Sequence, residues 1–272
     1  MLEFIENNIS YYSLCAFAGL LVTLLVYFIL GRKRKVPGWQ LFSMFLFAGA
    51  GLLIGAHLLF FIVGLPDWIA KYSGAIHSFQ DFLIAFGYGA SGLVFYGGLL
   101  GAYAGILIFC KMYKFYTPSE LNNATVVFPL FHCFGRIGCA LNGCCYGIEY
   151  HGFLEMHYDE SHIVQGINDD IVNFPRFPIQ YLEAFLELLI FVFLLILYIK
   201  TRDRYSLTSI YLLIYSVIRF FDEFLRGDAA RKIWGPFSTS QWISLIIFVS
   251  VMIYLTVKRL RFKRGPRSFF SA

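Results

Sequence analysis

The sequence predicts an all-α integral membrane protein of about seven transmembrane helices, N-terminus out and C-terminus in, with a small extracytoplasmic head. Three observations carry that expectation. The 272 residues are 58% hydrophobic and only 14% charged, with 31 Phe and 18 Tyr, and the mean hydropathy is +0.66. A soluble domain carries roughly a quarter charged residues. The apolar residues also gather in runs that reach the ~20 residues a helix needs to cross a bilayer. Finally, Lys and Arg collect in alternate connections between those runs.

The runs are Tyr11–Leu30, Gln40–Val63, Phe82–Cys110, Leu121–Leu141, Pro178–Ile199, Leu207–Leu225 and Phe237–Val257. The first follows Met1–Ser10, which carries Glu3 and Glu6 and no basic segment, so it reads as a retained helix and not a signal peptide. The third contains "YGGLLGAYAG", whose Gly97, Gly98, Gly101 and Gly105 let a neighbouring helix come close. For these glycines, and for Tyr96 before them, packing and a place in a site both stay open. The fourth run is the weakest, because it includes Asn122, Asn123, His132 and Arg136.

Basic residues orient the chain. Arg32, Lys33, Arg34 and Lys35 fill the first connection, Lys111 and Lys114 the third, and Lys200, Arg202 and Arg204 the fifth. The tail adds Lys258, Arg259, Arg261, Lys263, Arg264 and Arg267. With seven spans all lie on one side, the cytoplasmic one by the positive-inside rule. The tail reads as a topology anchor beside anionic lipid, and no soluble basic domain is present to bind nucleic acid. On the other side Gly143–Phe177 forms the head, with Glu149, Glu155, Asp159, Glu160, Asp169, Asp170, His151, His157 and His162. The whole of 1–272 reads as a single polytopic domain.

Ionisable residues inside spans are costly and mark functional interiors. In "YSVIRFFDEFLR", helical spacing places Tyr215, Arg219, Asp222, Glu223 and Arg226 on one stripe. The fifth run sets Glu183 and Glu187 one turn apart, with Gln180 a turn earlier, and the fourth supplies Arg136 and Asn142. An internal salt-bridge ladder is one reading. The other is an outward-opening anion site, because the planar guanidinium fork suits phosphate better than an ammonium does. In a membrane the matching ligand is a phospholipid headgroup.

Five segments then resemble, in order, the bacterial prolipoprotein diacylglyceryl transferases. "FGRIGCALNGCCYG" is similar to a signature of Gly-Arg-Ile-Gly-Asn followed by Asn-Gly-Glu and an aromatic-Gly pair. "SGLVFYGGLLGAYAG" resembles a segment with His-Gly-Gly-Leu-Ile-Gly, and "RFPIQYLEA" resembles Arg-x-Pro-x-Gln-Leu-Tyr-Glu-Ala. "YSVIRFFDEFLR" and "FSTSQWISL" are similar to the closing segments. The resemblance implies an enzyme of the bacterial cell membrane that moves a diacylglyceryl group from phosphatidylglycerol to the lipobox cysteine of a preprolipoprotein, releasing glycerol phosphate. It implies that Arg136 and Arg219 bind the headgroup and stabilise the departing phosphate. Glu183, Tyr215, Glu223, Arg226, Asn142, Gly143 and Gly147 match functional positions and Tyr12 a first-helix tyrosine, and Gly97 and Gly98 are expected among the substrate-binding residues. No cofactor or metal is expected, and the protein is expected to act as a monomer.

Two departures bear on proton handling. Tyr96 stands where the family has His, and Cys144 where it has Glu, while Cys139 replaces an Asn. A phenol with a reference pKa of about 10 accepts a proton poorly at neutral pH. Glu149 or Glu155 of the head is then a candidate for the missing acid. The changes also leave room for a different acceptor, or for lipid binding or transport without turnover. For Cys133, Cys139, Cys144 and Cys145, a redox pair, a metal nest with the head histidines, and small-residue packing all remain open; the spacing fits no common zinc pattern.

Overall fold

The computed structural model describes residues 10–74, 76–115, 117–158, 170–201, 203, 206–228 and 233–263. The helices are α1 (Tyr11–Lys33), α2 (Gly38–Tyr72), α3 (Phe79–Gly89), α4 (Phe95–Tyr113), α5 (Thr117–Leu141), α6 (Ile179–Thr201), α7 (Leu207–Asp222) and α8 (Thr239–Lys263). A helical turn at Asp170–Asn173 and an antiparallel ribbon of β1 (Ile233–Trp234) and β2 (Phe237–Ser238) complete the described elements. Six of the helices are long and apolar enough to cross a membrane: α1, α2, α4, α5, α6 and α8. Of the expected head residues, Asp159, Glu160, His162 and Asp169 lie outside the described residues, as do Arg202, Arg204, Arg264 and Arg267.

Three runs differ from their sequence reading. Phe82–Cys110 is two helices, because glycines and Ser91 interrupt the ladder between Gly89 and Phe95. Val94 instead donates its N–H to the Ala56 carbonyl of α2 at 3.3 Å, and His57 Nδ1 lies 2.7 Å from the Ala90 carbonyl. Helix α3 opens with a capping box, Ser78 bonding the Asp81 N–H and Asp81 bonding the Ser78 N–H. Helix α2 continues past Val63 to Tyr72 with Pro66 inside it. The sixth run forms the 16-residue α7 and then a 3-10 turn over Glu223–Leu225. At 1.5 and 2.0 Å per residue, that pair reaches about 30 Å, the thickness of a bilayer core.

The described residues divide into two compact units, one of those within 24–127 and a second of those within 10–23 and 128–263. In the first, α2 and α4 meet backbone to backbone. A Cβ on Gly51 would fall on the Gly101 carbonyl, and one on Gly55 on the Gly97 carbonyl. Small residues every fourth position allow that approach, and apolar contact with hydrogen bonding holds it where no water is present to drive association. Buried polar pairs add to the unit: Gln40 Nε2 donates to Glu120 at 2.9 Å, and Tyr103 and Thr125 hydroxyls lie 3.1 Å apart.

In the second unit, the first half of α1 packs on the second half of α5, where Gly19 leaves room for Phe134. Helices α6, α7 and α8 complete it. Helix α8 starts on a capping box in which Ser238 N–H donates to Gln241 Oε1 at 2.9 Å and Gln241 N–H to Ser238 Oγ at 3.3 Å. Gln241 Nε2 also donates to the Phe220 carbonyl of α7, so the cap fixes one helix against the next.

Candidate functional site

The site in the second unit is a buried charge network on α5, α6 and α7. Arg136 of α5 pairs through Nε with Glu183 Oε2 of α6 at 2.5 Å. Arg219 of α7 reaches the other oxygen of the same carboxylate, Oε1, at 3.2 Å. Its second amino group meets Glu223 Oε2 at 2.6 Å and donates to Ser240 Oγ of α8 at 3.3 Å. One carboxylate therefore sits between two guanidinium groups from different helices. All four charged residues are buried.

Each member arrives by helical spacing. Arg219 and Glu223 are one turn apart, so they meet along their own chain segment. Tyr215 lies one turn before Arg219, and Asp222 stands on the same buried side, while Phe221 and Phe224 point outward. On α6, Gln180, Glu183 and Glu187 are all buried. Arg136 lies one turn beyond His132, whose Nδ1 is 2.8 Å from Glu187 Oε1 and whose ring meets Tyr215 edge-on at 5.5 Å. Glu187 is expected in the charge system beside Glu183, whereas its partner His132 is not. The signal for His132 was its place among the polar residues that made the fourth run look weak.

Arg226 corrects the stripe predicted for the sixth run. The helix ends at Asp222, and Arg226 has extended backbone after the 3-10 turn, so it is not on the face that carries Arg219. It is buried and holds Asp228 with two bonds of 2.8 and 2.7 Å. The segment beside it pairs with the end of the signature: Ile148 N–H donates to the Leu225 carbonyl and Gly227 N–H to the Tyr146 carbonyl, both at 3.0 Å. Gly147 is crowded by the Phe177 carbonyl, so no side chain fits there. Arg176, which opens the segment "RFPIQYLEA", is buried with its guanidinium 5.0 Å from the Tyr146 ring centre.

The signature turn is a helix cap. Gly143 has φ 71°; its N–H bonds the Ala140 carbonyl at 3.3 Å, and the Cys144 N–H bonds the Cys139 carbonyl at 3.1 Å. These two bonds define a Schellman motif, with the left-handed residue supplied by glycine. Asn142, half-buried, closes the helix with its N–H on the Gly138 carbonyl at 3.0 Å. Tyr12 of α1 lies against Gly138, its Cα 3.2 Å from where a Cβ would stand. Cys139, Cys144 and Cys145 converge, their sulfurs all within 4.8 Å of one another. Hydrogen bonds from the Cys139 and Cys144 thiols, helped by Arg226 and Arg136, hold the Cys145 thiol below its ordinary range.

The remaining expected residues are distributed as follows. Tyr96, Gly97 and Gly98 lie in the first unit on α4, all buried, with Gly97 and Gly98 turned to α2. Glu149 and Glu155 stay in the head near solvent, 3.2 Å from His151 and His157. Those histidines therefore pair with carboxylates and do not join the cysteines. Tyr158 is buried in the head, accepts from Gln180 Nε2 at 3.0 Å, and burial pushes its phenol up to about 12.

The family model for prolipoprotein diacylglyceryl transferase matches residues 1–257. A phosphatidylglycerol–prolipoprotein diacylglyceryl transferase 2 of Clostridium perfringens is 28% identical over 244 residues, covering 89% of this chain and 88% of its own length. A phosphatidylglycerol–prolipoprotein diacylglyceryl transferase of Clostridium tetani is 28% identical over 236 residues, 86% of this chain and 88% of its own. One from Campylobacter jejuni subsp. doylei is 26% identical over 258 residues, 92% and 90% of the two chains.

Proposed function

The chain belongs to the prolipoprotein diacylglyceryl transferase family, and we propose that it moves the diacylglyceryl group of phosphatidylglycerol onto the lipobox cysteine of a preprolipoprotein. As a family member it is a transferase and an all-α, multi-pass membrane protein. The observation that carries the substrate reading is the pair of buried arginines, Arg136 and Arg219, held from two helices by the single carboxylate of Glu183.

In the proposed step the acceptor sulfur attacks the glyceryl carbon that bears the phosphate ester. The carbon–sulfur bond forms as the carbon–oxygen bond breaks, and the electron pair leaves with the phosphate as glycerol phosphate. Charge grows on the phosphate oxygens during that displacement, so guanidinium groups already in place stabilise the transition state more than the ground state. Glu183 and Glu223 orient the two forks beforehand, which removes reorganisation from the reaction. Phosphate entry then shares the arginines with these carboxylates. Arg226 takes part in headgroup capture, with Asn142, Gly143 and Gly147 shaping the turn and Tyr215 and Tyr12 lining the lipid site.

Tyr96 is the proposed proton-handling residue of α4, with Gly97 and Gly98 beside it proposed as substrate-binding positions through the backbone. The thiol proton must leave as the bond to carbon forms, and a tyrosine does this slowly near neutral pH. Seven spans, with α7 and its 3-10 turn as the sixth, put the head outside a bacterial cell membrane and the basic connections inside. The test is incubation of the purified chain with labelled phosphatidylglycerol and a lipobox peptide. Thioether product with matching glycerol phosphate is expected; lipid bound but never turned over would overturn the assignment.

A further inference from the structure

The three cysteines of the signature turn are not explained by phosphate chemistry. The cap geometry brings two of them together, because a Schellman motif apposes the side chains three residues before and two after the end of the helix. Those positions are Cys139 and Cys144, joined by the 3.1 Å bond between their backbones. The third, Cys145, has φ 56°, a left-handed backbone that only a few per cent of non-glycine residues adopt. That conformation returns its sulfur to the same point. All the cysteines described are free thiols.

We propose that Cys139, Cys144 and Cys145 form a three-thiolate site for one soft monovalent ion, Cu(I). Sulfur ligands select Cu(I), Zn(II) or iron–sulfur centres over hard cations. Three metal–sulfur bonds of about 2.3 Å in a plane place the sulfurs about 4.0 Å apart. The observed spread of up to 4.8 Å therefore needs a contraction of less than about 1 Å to reach that geometry. Among the described residues no His, Asp or Glu joins the cluster. Zn(II) sites built by protein alone take four ligands, whereas Cu(I) is satisfied by three.

The surroundings suit the charge of such a complex. Three thiolates with Cu(I) carry two negative charges, and the turn that holds them is tied to the segment of the cationic Arg226 by the Gly147–Arg226 bridge. Gln180 Nε2 holds the Cys144 carbonyl at 2.9 Å, fixing the turn from α6. Binding forms three sulfur–copper bonds and releases the thiol protons to solvent, with no change of oxidation state. The ion clamps the turn that leads to Gly147 and so to the segment of Arg226.

The experiment titrates the reduced full chain in detergent, without oxygen, with Cu(I) against a coloured Cu(I) chelator, and with Zn(II) in a parallel run. One Cu(I) per chain is expected. Cys139→Ser, Cys144→Ser and Cys145→Ser should each lower affinity by more than the roughly 10–100-fold lost with a residue that only hydrogen-bonds to a metal ligand. Cys133→Ser and Cys110→Ser should leave it unchanged. Affinity that survives all three serine variants would overturn the site, as would tighter binding of Zn(II). A chain that binds no Cu(I) but gains two thiols on reduction would overturn it in favour of a redox pair.

Discussion

Arg219→Ala is the perturbation that separates the two roles of the buried network. Arg219 meets Glu183 at 3.2 Å, Glu223 at 2.6 Å and Ser240 at 3.3 Å, whereas Arg136 has its ion pair with Glu183. Removing Arg136 leaves Glu183 with Arg219. Removing Arg219 leaves Glu183 with Arg136 but takes from the buried Glu223 the guanidinium beside it. Breaking a buried ion pair by removing one partner costs about 3–5 kcal/mol, and Arg219 pairs with both Glu183 and Glu223 while Arg136 pairs with Glu183. Arg219→Ala should therefore lose about that much stability and Arg136→Ala clearly less. Both should lose about 10²–10³ in turnover, since each removes a fixed donor to the phosphate. The assay is denaturant or thermal unfolding in detergent, followed by turnover at matched amounts of folded protein. Adding Glu223→Gln to Arg219→Ala should recover much of the lost stability and none of the turnover. Equal stability losses for the two arginine variants, or a further loss on adding Glu223→Gln, would refute this account. Near-parent turnover in both would return the charges to a structural ladder.

Other expectations follow from single features. Tyr96→His should raise turnover near pH 7, because it supplies a group with a reference pKa of about 6.5, and Tyr96→Phe should lower it; rates against pH in both variants are the check. Gly101→Ala should prevent the close approach of α2 and α4, since its Cβ would overlap the Gly51 carbonyl, while a Cβ on Gly98 would meet the Leu52 side chain at 3.3 Å and Ala56 Cβ at 3.5 Å, so Gly98→Ala should cost much less; unfolding in detergent distinguishes them. The Tyr158 phenol is raised from 10.0 to about 12, so the folded state favours its neutral form. That stabilisation is complete below about pH 10 and is lost as pH rises to about 12, at most about 2 kcal/mol after allowing for partial exposure, and Tyr158→Phe should flatten the loss in alkaline unfolding curves. Cysteine placed at Phe153 of the head should react with an impermeant thiol reagent from outside the cell, and cysteine at Lys35 should not; the opposite pattern would invert the proposed orientation.

Much of this protein was legible along the chain because burial in lipid imposes a local rule. Each backbone polar group must find its partner within the segment, so a run of apolar residues long enough to cross becomes a helix. The runs that became α1, α5, α6 and α8 follow directly from that, and the glycines of α4 foretold a close helix contact. Charges within runs marked Arg136, Glu183, Arg219 and Glu223 as members of one buried system, since a lone ion there is too costly. Periodicity failed where the backbone left the helix. It carried Arg226 onto the stripe of Arg219, although the chain turns to 3-10 and extended geometry after Asp222, and it ran one span through Gly89–Phe95.

Partner choice was invisible for a different reason. Glu183 bonds two arginines that lie 47 residues before it and 36 after it in number, and His132 finds Glu187 across α5 and α6. No local pattern encodes such pairs, because they depend on which helix faces which. The cysteine cluster lies between these cases. Asn142-Gly143 at the end of a polar-tinged helix announces a cap, and the cap places Cys144 against Cys139 by rule. Only the tertiary structure shows Cys145 joining them, because its left-handed backbone is held by the pairing of the following residues with Leu225–Gly227. Hydrophobicity and helical period are properties of a segment and can be read from it; ion pairs, close approaches and unusual backbone states are settled by what the rest of the chain packs against.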